Sequence, residues 1–347
     1  MRLAIDIGGT FTDLVLEKNQ TLFSKKVLTS IEKPELAVID GVLELLDENK
    51  VKPSEINMII HGTTLATNAV IERKGAHCCF ITTSGFRDVL DIGYESRFDQ
   101  YDLLLEKTLS IVPRKYRYVV DERTDVDGKI LKPLNVKSLD PLFSKIKKEK
   151  FESIGIGFLH SYANPKNEKI LKDILSKKFP NIKISISSEV CPEIREYERF
   201  TTTVINSYIK PLISIYLENL KKSLISKGFK CSFLLMTSGG SLTNVQNASD
   251  YPIRLVESGP AGGVILATSI ARELDLKQHQ IPYEDRDHAL YVAYGPVRDP
   301  RYAVSILVEH GGSGSKAAAP IAKKLFKLLV DRHELREKLR KPKKEIS

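Results

Sequence analysis

Residues 4–18 read AIDIGGTFTDLVLEK, and the residue types around the glycine pair suit phosphate chemistry. Gly8 and Gly9 leave backbone N–H groups without side-chain cover. Thr10 and Thr12 add hydroxyls, and Asp6 and Asp13 flank the loop with carboxylates. Bare amides and hydroxyls match phosphate oxygens, while carboxylates match the accompanying Mg²⁺. The spacing fits neither a dinucleotide GxGxxG nor a GxxxxGK[ST] loop. Two alternating strands joined by a Gly-rich turn also make an ordinary hairpin. The local pattern leaves both readings open.

Further polar groups sit where strands end and helices begin. In HGTTLATNAVIERKGAH, Thr63 and Thr64 either cap a helix or offer its free N–H groups to an anion, with His61 nearby. IGYESRFDQYDLLLEK holds Arg97, Asp99 and Tyr101 in a stretch without clear periodicity, so it lines or covers a site. LHSYANPKNEKI places Asn164 and Glu168 at a strand-to-helix junction. SSEVCPEIREYERFTTTVINSY gathers Glu189, Glu193, Glu196, Arg199, Thr203 and Asn206 around a helix start, where acidic residues also serve as plain dipole partners. RLVESGPAGGVILATSIARELD has a Gly-Pro loop leading into a helix whose small residues allow close packing.

The elements that must position these groups follow from apolar periodicity, which switches between two and about 3.6. Strands are predicted at RLAIDIG, TDLVLEK, LFSKKVL, NMIIHGT, CCFITTS, SIGIGFLH, IKISISSE and SFLLMTSG. Helices are predicted at PELAVIDGVLELLDENK, opened by Pro34, at PKNEKILKDILSKKF, and from Tyr197 to Gly228. Pro211 is expected to bend or split the last of these. TDVDGKILKP carries an Asp-Gly turn between two short strands. Helices alternating with mostly buried strands predict an α/β class.

The chain has 347 residues, 42% hydrophobic and 28% charged, enough for two or more globular domains. Its net charge of +9 is concentrated late: residues 280–347 hold 14 Lys and Arg against 9 Asp and Glu. That excess lies largely in REKLRKPKKEIS, without interleaved aromatics, so it reads as a solvated tail and disfavours nucleic acid as a partner. The 4 cysteines show no metal spacing, and Cys78 and Cys79 read as small buried strand residues. No apolar run reaches membrane-spanning length and no leader pattern opens the chain, which makes the cytoplasm the expected location.

Six segments in order, DIGGTFTD, HGTTLATNAVIERKGA, TTSGFRDVLDIG, LHSYANPKNE, SSEVCPEIREYERFTTTVINSYIKP and SGPAGGV, resemble the amino-terminal part of the hydantoinase/oxoprolinase family. The resemblance covers residues 2–277. It implies an actin/hexokinase-like (ribonuclease H-like) nucleotide-binding fold in which DIGGTFTD is the first phosphate loop. By that resemblance Gly8, Gly9, Thr10, Thr12, Thr63 and Thr64 bind nucleotide. Asp6 and Asp13 orient Mg²⁺ or water, and Arg97, Asn164, Glu189 and Arg199 are substrate-side candidates. The implied reaction is ATP-dependent hydrolysis of a five-membered cyclic amide such as a hydantoin or 5-oxoproline. The implied partner is a second hydantoinase-type subunit or another copy of the chain. A carboxylation role like that of acetone carboxylase subunits, and a non-catalytic, partner-binding role, stay open.

The family pattern is departed from near residue 280. No second Asp-x-Gly-Gly-Thr loop occurs, and the nearest imitation, MTSGGSLTN, lacks the aspartate. The fold is therefore expected to stop before its second phosphate loop, with weak nucleotide binding and no turnover by this chain alone. Domains are expected at 1–190 and 191–279, followed by 280–347. Residues 287–326 resemble the carboxyl-terminal end of a penicillin-binding transpeptidase domain. Ser313 and Lys316 match S-x-x-K, but without that family's other motifs they predict no nucleophile.

Overall fold

A computed structural model describes residues 1–30, 34–94, 109–259, 261–263, 265, 289–295, 302–309 and 317–340. Contacts divide the chain into two compact units: residues 1–95 with 107–266, and residues 96–106 with 267–347.

The first unit opens with β1 (Arg2–Ile7), β2 (Phe11–Lys18) and β3 (Thr21–Leu28), an antiparallel meander. Alternation in β1 buries Leu3, Ile5 and Ile7 and turns Arg2, Ala4 and Asp6 outward. Helix α1 (Pro34–Glu48) starts on proline and buries Val38, Ile39, Val42, Leu45 and Leu46, the spacing of one helical face. Strand β4 (Met58–Thr63) returns parallel to β1, and the short α2 (Leu65–Ile71) follows it. Much later in the chain, β11 (Ser232–Met236) pairs parallel with β4, and β12 (Leu242–Asn244) closes the edge. The six-stranded order is β12-β11-β4-β1-β2-β3.

A second sheet, ordered β10-β9-β5-β6, comes from the intervening segment. Its central strands β5 (Cys78–Thr83) and β9 (Ser153–Gly157) are buried along their whole length, as expected when both faces are covered. β6 (Arg117–Val120) and β10 (Lys183–Ile186) form its edges, all pairs running parallel. Between these strands lie the single turn α3 (Val89–Ile92), the small hairpin β7 (Arg123–Thr124) and β8 (Ile130–Lys132), α4 (Asp140–Glu149) and α5 (Lys166–Lys178), and the turn α6 (Ser187–Val190) follows β10. The Asp-Gly turn lies in that hairpin, with Gly128 at φ 81°.

Helix α7 (Glu196–Ser226) joins the two sheets, and α8 (Val245–Asp250) follows β12. Phe200 and Val204 near its start, and Ile213, Leu217, Leu220 and Leu224 further on, belong to the same core as β1, α1 and β4. The expected split at Pro211 does not occur; the helix runs on for 31 residues. Proline removes the N–H that would bond the carbonyl of Ser207, four residues back. The Ser153 hydroxyl on β9 donates to that carbonyl instead, at 2.6 Å, so the orphan is satisfied from the sheet.

In the second unit β13 (Ala289–Gly295) and β14 (Tyr302–Val308) pair antiparallel, and α9 (Ala319–Arg340) packs on them with Ala318 and Ala322 buried. Ser313 and Lys316 lie outside the described residues. Among the described residues no helix is long and apolar enough to cross a membrane.

Candidate functional site

Strands β1, β4 and β11 are parallel, so their carboxyl ends share one edge of the sheet, where α/β folds bind ligands. The glycine pair stands at that edge. Gly8 N–H donates to Phe11 carbonyl at 2.9 Å and leaves Gly9 and Thr10 at the hairpin tip. A Cβ at Gly8 would fall 2.9 Å from that carbonyl, so the turn itself requires glycine there. At Gly9 a Cβ would meet only Asn68 Nδ2, at 3.6 Å. The fold has no steric need for the second glycine, but a phosphate approaching the backbone would.

Thr29 buttresses the loop from behind. Its N–H donates to Thr10 carbonyl at 2.9 Å, and its hydroxyl donates to Gly8 carbonyl at 3.1 Å. Thr12 is fully buried on the core side of β2, its hydroxyl 3.0 Å from that of Thr29. Thr12 thus faces away from the open side, because alternation puts it out of phase with Asp13. Thr29 carries no spacing signal relative to the glycines; only β3 pairing brings it there.

The carboxylates meet in a row across the sheet. Asp6 lies opposite Asp13 in the β1–β2 register, Lys26 opposite Asp13 in β2–β3, and Gly62 opposite Asp6 in β1–β4. All are on the face turned from α1. Lys26 Nζ is 2.9 Å from Asp13 Oδ1. Asp6 has no such cation among the described residues, and a Cβ on Gly62 would fall 2.8 Å from Asp6 Oδ1. Gly62 is the space in which that carboxylate sits. Partial burial first, and the Asp13 charge second, raise the Asp6 carboxyl above its ordinary value. A neighbouring carboxylate that penalises the Asp6 charge favours a cation beside it. Among the described residues no group of three or more His, Cys, Asp or Glu could hold a metal ion. A pair fits Mg²⁺, which keeps waters and phosphate oxygens as its remaining ligands.

Thr63, Thr64 and α2 come next to this loop. Thr64 N–H donates to Ile7 carbonyl at 3.0 Å, its hydroxyl donates to the same carbonyl at 3.2 Å, and Asn68 Nδ2 donates to that hydroxyl. The buried Thr63 hydroxyl accepts from Leu65 N–H at 3.2 Å. Both threonines therefore position the loop from within the protein. His61 is a core residue, with Nε2 2.8 Å from the Tyr216 hydroxyl and Nδ1 3.3 Å from Ile5 carbonyl. Burial lowers its pKa to about 4, which keeps it neutral. The SGPAGG segment arrives at the same place: Glu257 N–H donates to the Thr67 hydroxyl at 3.0 Å, and the Ser258 hydroxyl lies 3.4 Å from Thr63 carbonyl. Glu257 holds φ at 62°, unusual for a residue with a side chain.

The structure does not bring the remaining candidates to this row. Arg97 lies outside the described residues. Asn164 bonds Gly128 carbonyl at 2.8 Å and Lys166 N–H at 3.1 Å, closing its own turn. Glu189 pairs with Lys172 at 2.7 Å beside a polar cavity of about 290 Å³. Arg199 is fully buried; its Nη atoms donate to Glu193 and Phe158 carbonyls and to Glu196. Glu168, also buried, accepts from Phe158 N–H and from Ser187 and Ser188, a ring of donors that holds β9, α5 and α6 together.

Two family models match the chain: the hydantoinase/oxoprolinase N-terminal region over residues 2–179, and hydantoinase/oxoprolinase over residues 199–280. The chain belongs to the hydantoinase/oxoprolinase family. It is 40% identical over 279 residues to an uncharacterized protein of Methanocaldococcus jannaschii, covering 79% of this chain and 40% of that one. It is 30% identical over 269 residues to caprolactamase subunit alpha of Pseudomonas jessenii, covering 75% and 38%. The 5-oxoprolinase of Saccharomyces cerevisiae is 30% identical over 324 residues, covering 81% and 24%. The crystal structure of the ATP-dependent caprolactamase from Pseudomonas jessenii superposes with a TM-score of 0.73 at 26% identity, over 85% of this chain and 42% of that one. The actin/hexokinase-like α/β fold expected from the motifs is the fold of this unit. The chain spans 40% or less of the length of these curated relatives. Both family models end by residue 280, and the transpeptidase likeness of residues 287–326 gains no support from them.

Proposed function

We propose that this chain carries the first phosphate-binding face of an enzyme that spends ATP to open a cyclic amide, of the hydantoin or 5-oxoproline kind. The observation that carries the reading is the row Asp13–Asp6–Gly62 beside the bare Gly9 tip, at the carboxyl edge of three parallel strands. The caprolactamase and 5-oxoprolinase relatives support ATP as the nucleotide and a cyclic amide as the substrate. When bound, ATP would supply the phosphoryl group that activates an unstrained amide. The chain's own residues supply position and charge. Gly9 and Thr10 present backbone and hydroxyl donors to phosphate oxygens, and Asp6 and Asp13 hold Mg²⁺ directly or through water. Gly8, Thr29 and Thr64 keep the tip rigid.

A subunit-type relative supports turnover in an assembly with a second chain. Binding is therefore tested on this chain and ring opening on the assembly. Calorimetric titration with Mg·ATP should give saturable, Mg²⁺-dependent binding that Gly9→Val removes without lowering the melting temperature. Equal Mg·ATP affinity in parent and variant overturns the reading.

A further inference from the structure

The second sheet ends in β6, and a cavity of about 350 Å³ lies along that edge. Its lining is lopsided in charge. Arg87, Lys115 and Lys145 line it, and no carboxylate pairs with any of the three among the described residues. The other charged groups of the lining are already committed. Arg117 is buried and paired with Asp91, while Asp121, the one acid of the lining, is paired with Lys132 at 2.6 Å. Asp88 feels the Arg87 charge, but both its oxygens accept from Arg114.

The donors have capacity to spare. Arg87 uses Nη2 on Arg114 carbonyl at 2.8 Å, and its buried Nε has no hydrogen-bond partner among the described residues. Lys115 and Lys145 lie over the rings of Tyr116 and Tyr118, at 4.6 and 5.5 Å from their centroids, and donate no hydrogen bond among the described residues. The Tyr118 hydroxyl stays protonated, its pKa pushed up to about 12 chiefly by burial, and Ser84 and Ser138 add hydroxyls. Glu149 contributes one negative charge felt at Tyr118, which leaves the cluster in positive surplus. Pro141 and Leu142 give the cavity an apolar wall.

We propose that this cavity is a second anion site, which takes a small oxyanion of two or more negative charges, such as a phosphorylated metabolite, without a metal ion. The contrast with the glycine loop is chemical. There, two carboxylates and a lysine already paired with one of them receive phosphate only through a divalent cation. Here three cations with no carboxylate partner among the described residues receive the anion directly, and the volume suits a molecule larger than bare phosphate.

Metal dependence therefore separates the two sites. The full chain is titrated calorimetrically with inorganic pyrophosphate in EDTA, and with citrate in a parallel arm for the same charge on carboxylates. Saturable binding of pyrophosphate is expected, weakened at least tenfold in the Lys115→Gln/Lys145→Gln double variant and unchanged in Asp6→Asn. Among the described residues both lysines make only ring contacts, so the double variant should melt close to the parent; Arg87→Gln alone should also weaken binding. Tighter citrate than pyrophosphate would overturn the phosphorylated ligand. No saturable binding in EDTA, or equal affinity in the folded double variant, would overturn the site.

Discussion

Gly62→Ala isolates the role of Asp6 without touching Asp6. The new methyl carbon would fall 2.8 Å from Asp6 Oδ1, about 0.6 Å inside ordinary van der Waals contact. Gly62 sits within β4 and does not have a positive φ, so alanine fits its backbone. The carboxylate is the end of a short side chain and turns away at little cost to the fold. It then leaves the space over Gly62 in which it now sits, and with it the position from which it would meet a bound cation. Losing one charge-assisted contact of this kind costs about 1.5–3 kcal/mol, a roughly 10- to 100-fold rise in the Kd for Mg·ATP. Stability moves the other way, because alanine lowers the entropy of the unfolded chain and stabilises by up to about 1 kcal/mol. Calorimetry with Mg·ATP and a thermal melt on the same preparation read both quantities. Unchanged nucleotide affinity in a folded Gly62→Ala protein would refute the placement of Asp6 in the site. A collapse in melting temperature would refute the claim that the carboxylate yields cheaply.

Two further outcomes follow from titrating groups. The Asp6 carboxyl is raised, so the native fold binds its proton more tightly than the unfolded chain, and stability falls as pH rises from the ordinary carboxylate range of about 3.9. At pH 7 Asp6→Asn should therefore melt higher than the parent while losing Mg·ATP affinity; a lower melting temperature would contradict the electrostatic account. His61 is shifted the opposite way, to about 4. Between pH 6.5 and about 4 the unfolded chain binds the extra proton, so acid costs the fold up to about 3 kcal/mol there. Urea unfolding at pH 7 and pH 4.5 should show this loss shrinking in His61→Gln, and an identical pH dependence in the variant would assign the loss elsewhere.

The strands from β1 to β5, α1 and the tight turn at Gly8–Gly9 were legible because they rest on local pattern. Alternation, a first-turn proline and bare glycines act over a few residues. The order of six motifs carried the family for the same reason. What no local pattern decides is register. Asp6 faces Asp13 because the hairpin closes on Gly8 and Phe11, and one residue of slip would turn one of the two carboxylates to the opposite face. Thr12, alike in type to Thr10, is turned into the core by that same register, where it meets Thr29. Arg199 looked available in a run of acids, yet backbone carbonyls of two other segments bury it. Gly62 and Ser258 reach the loop through parallel pairing and a contact spanning 195 residues. Parallel strands need crossovers of a dozen residues or more. Which glycine ends up under which carboxylate is therefore set by hydrogen-bonded pairing across the whole sheet, an arrangement that exists only once the chain has folded.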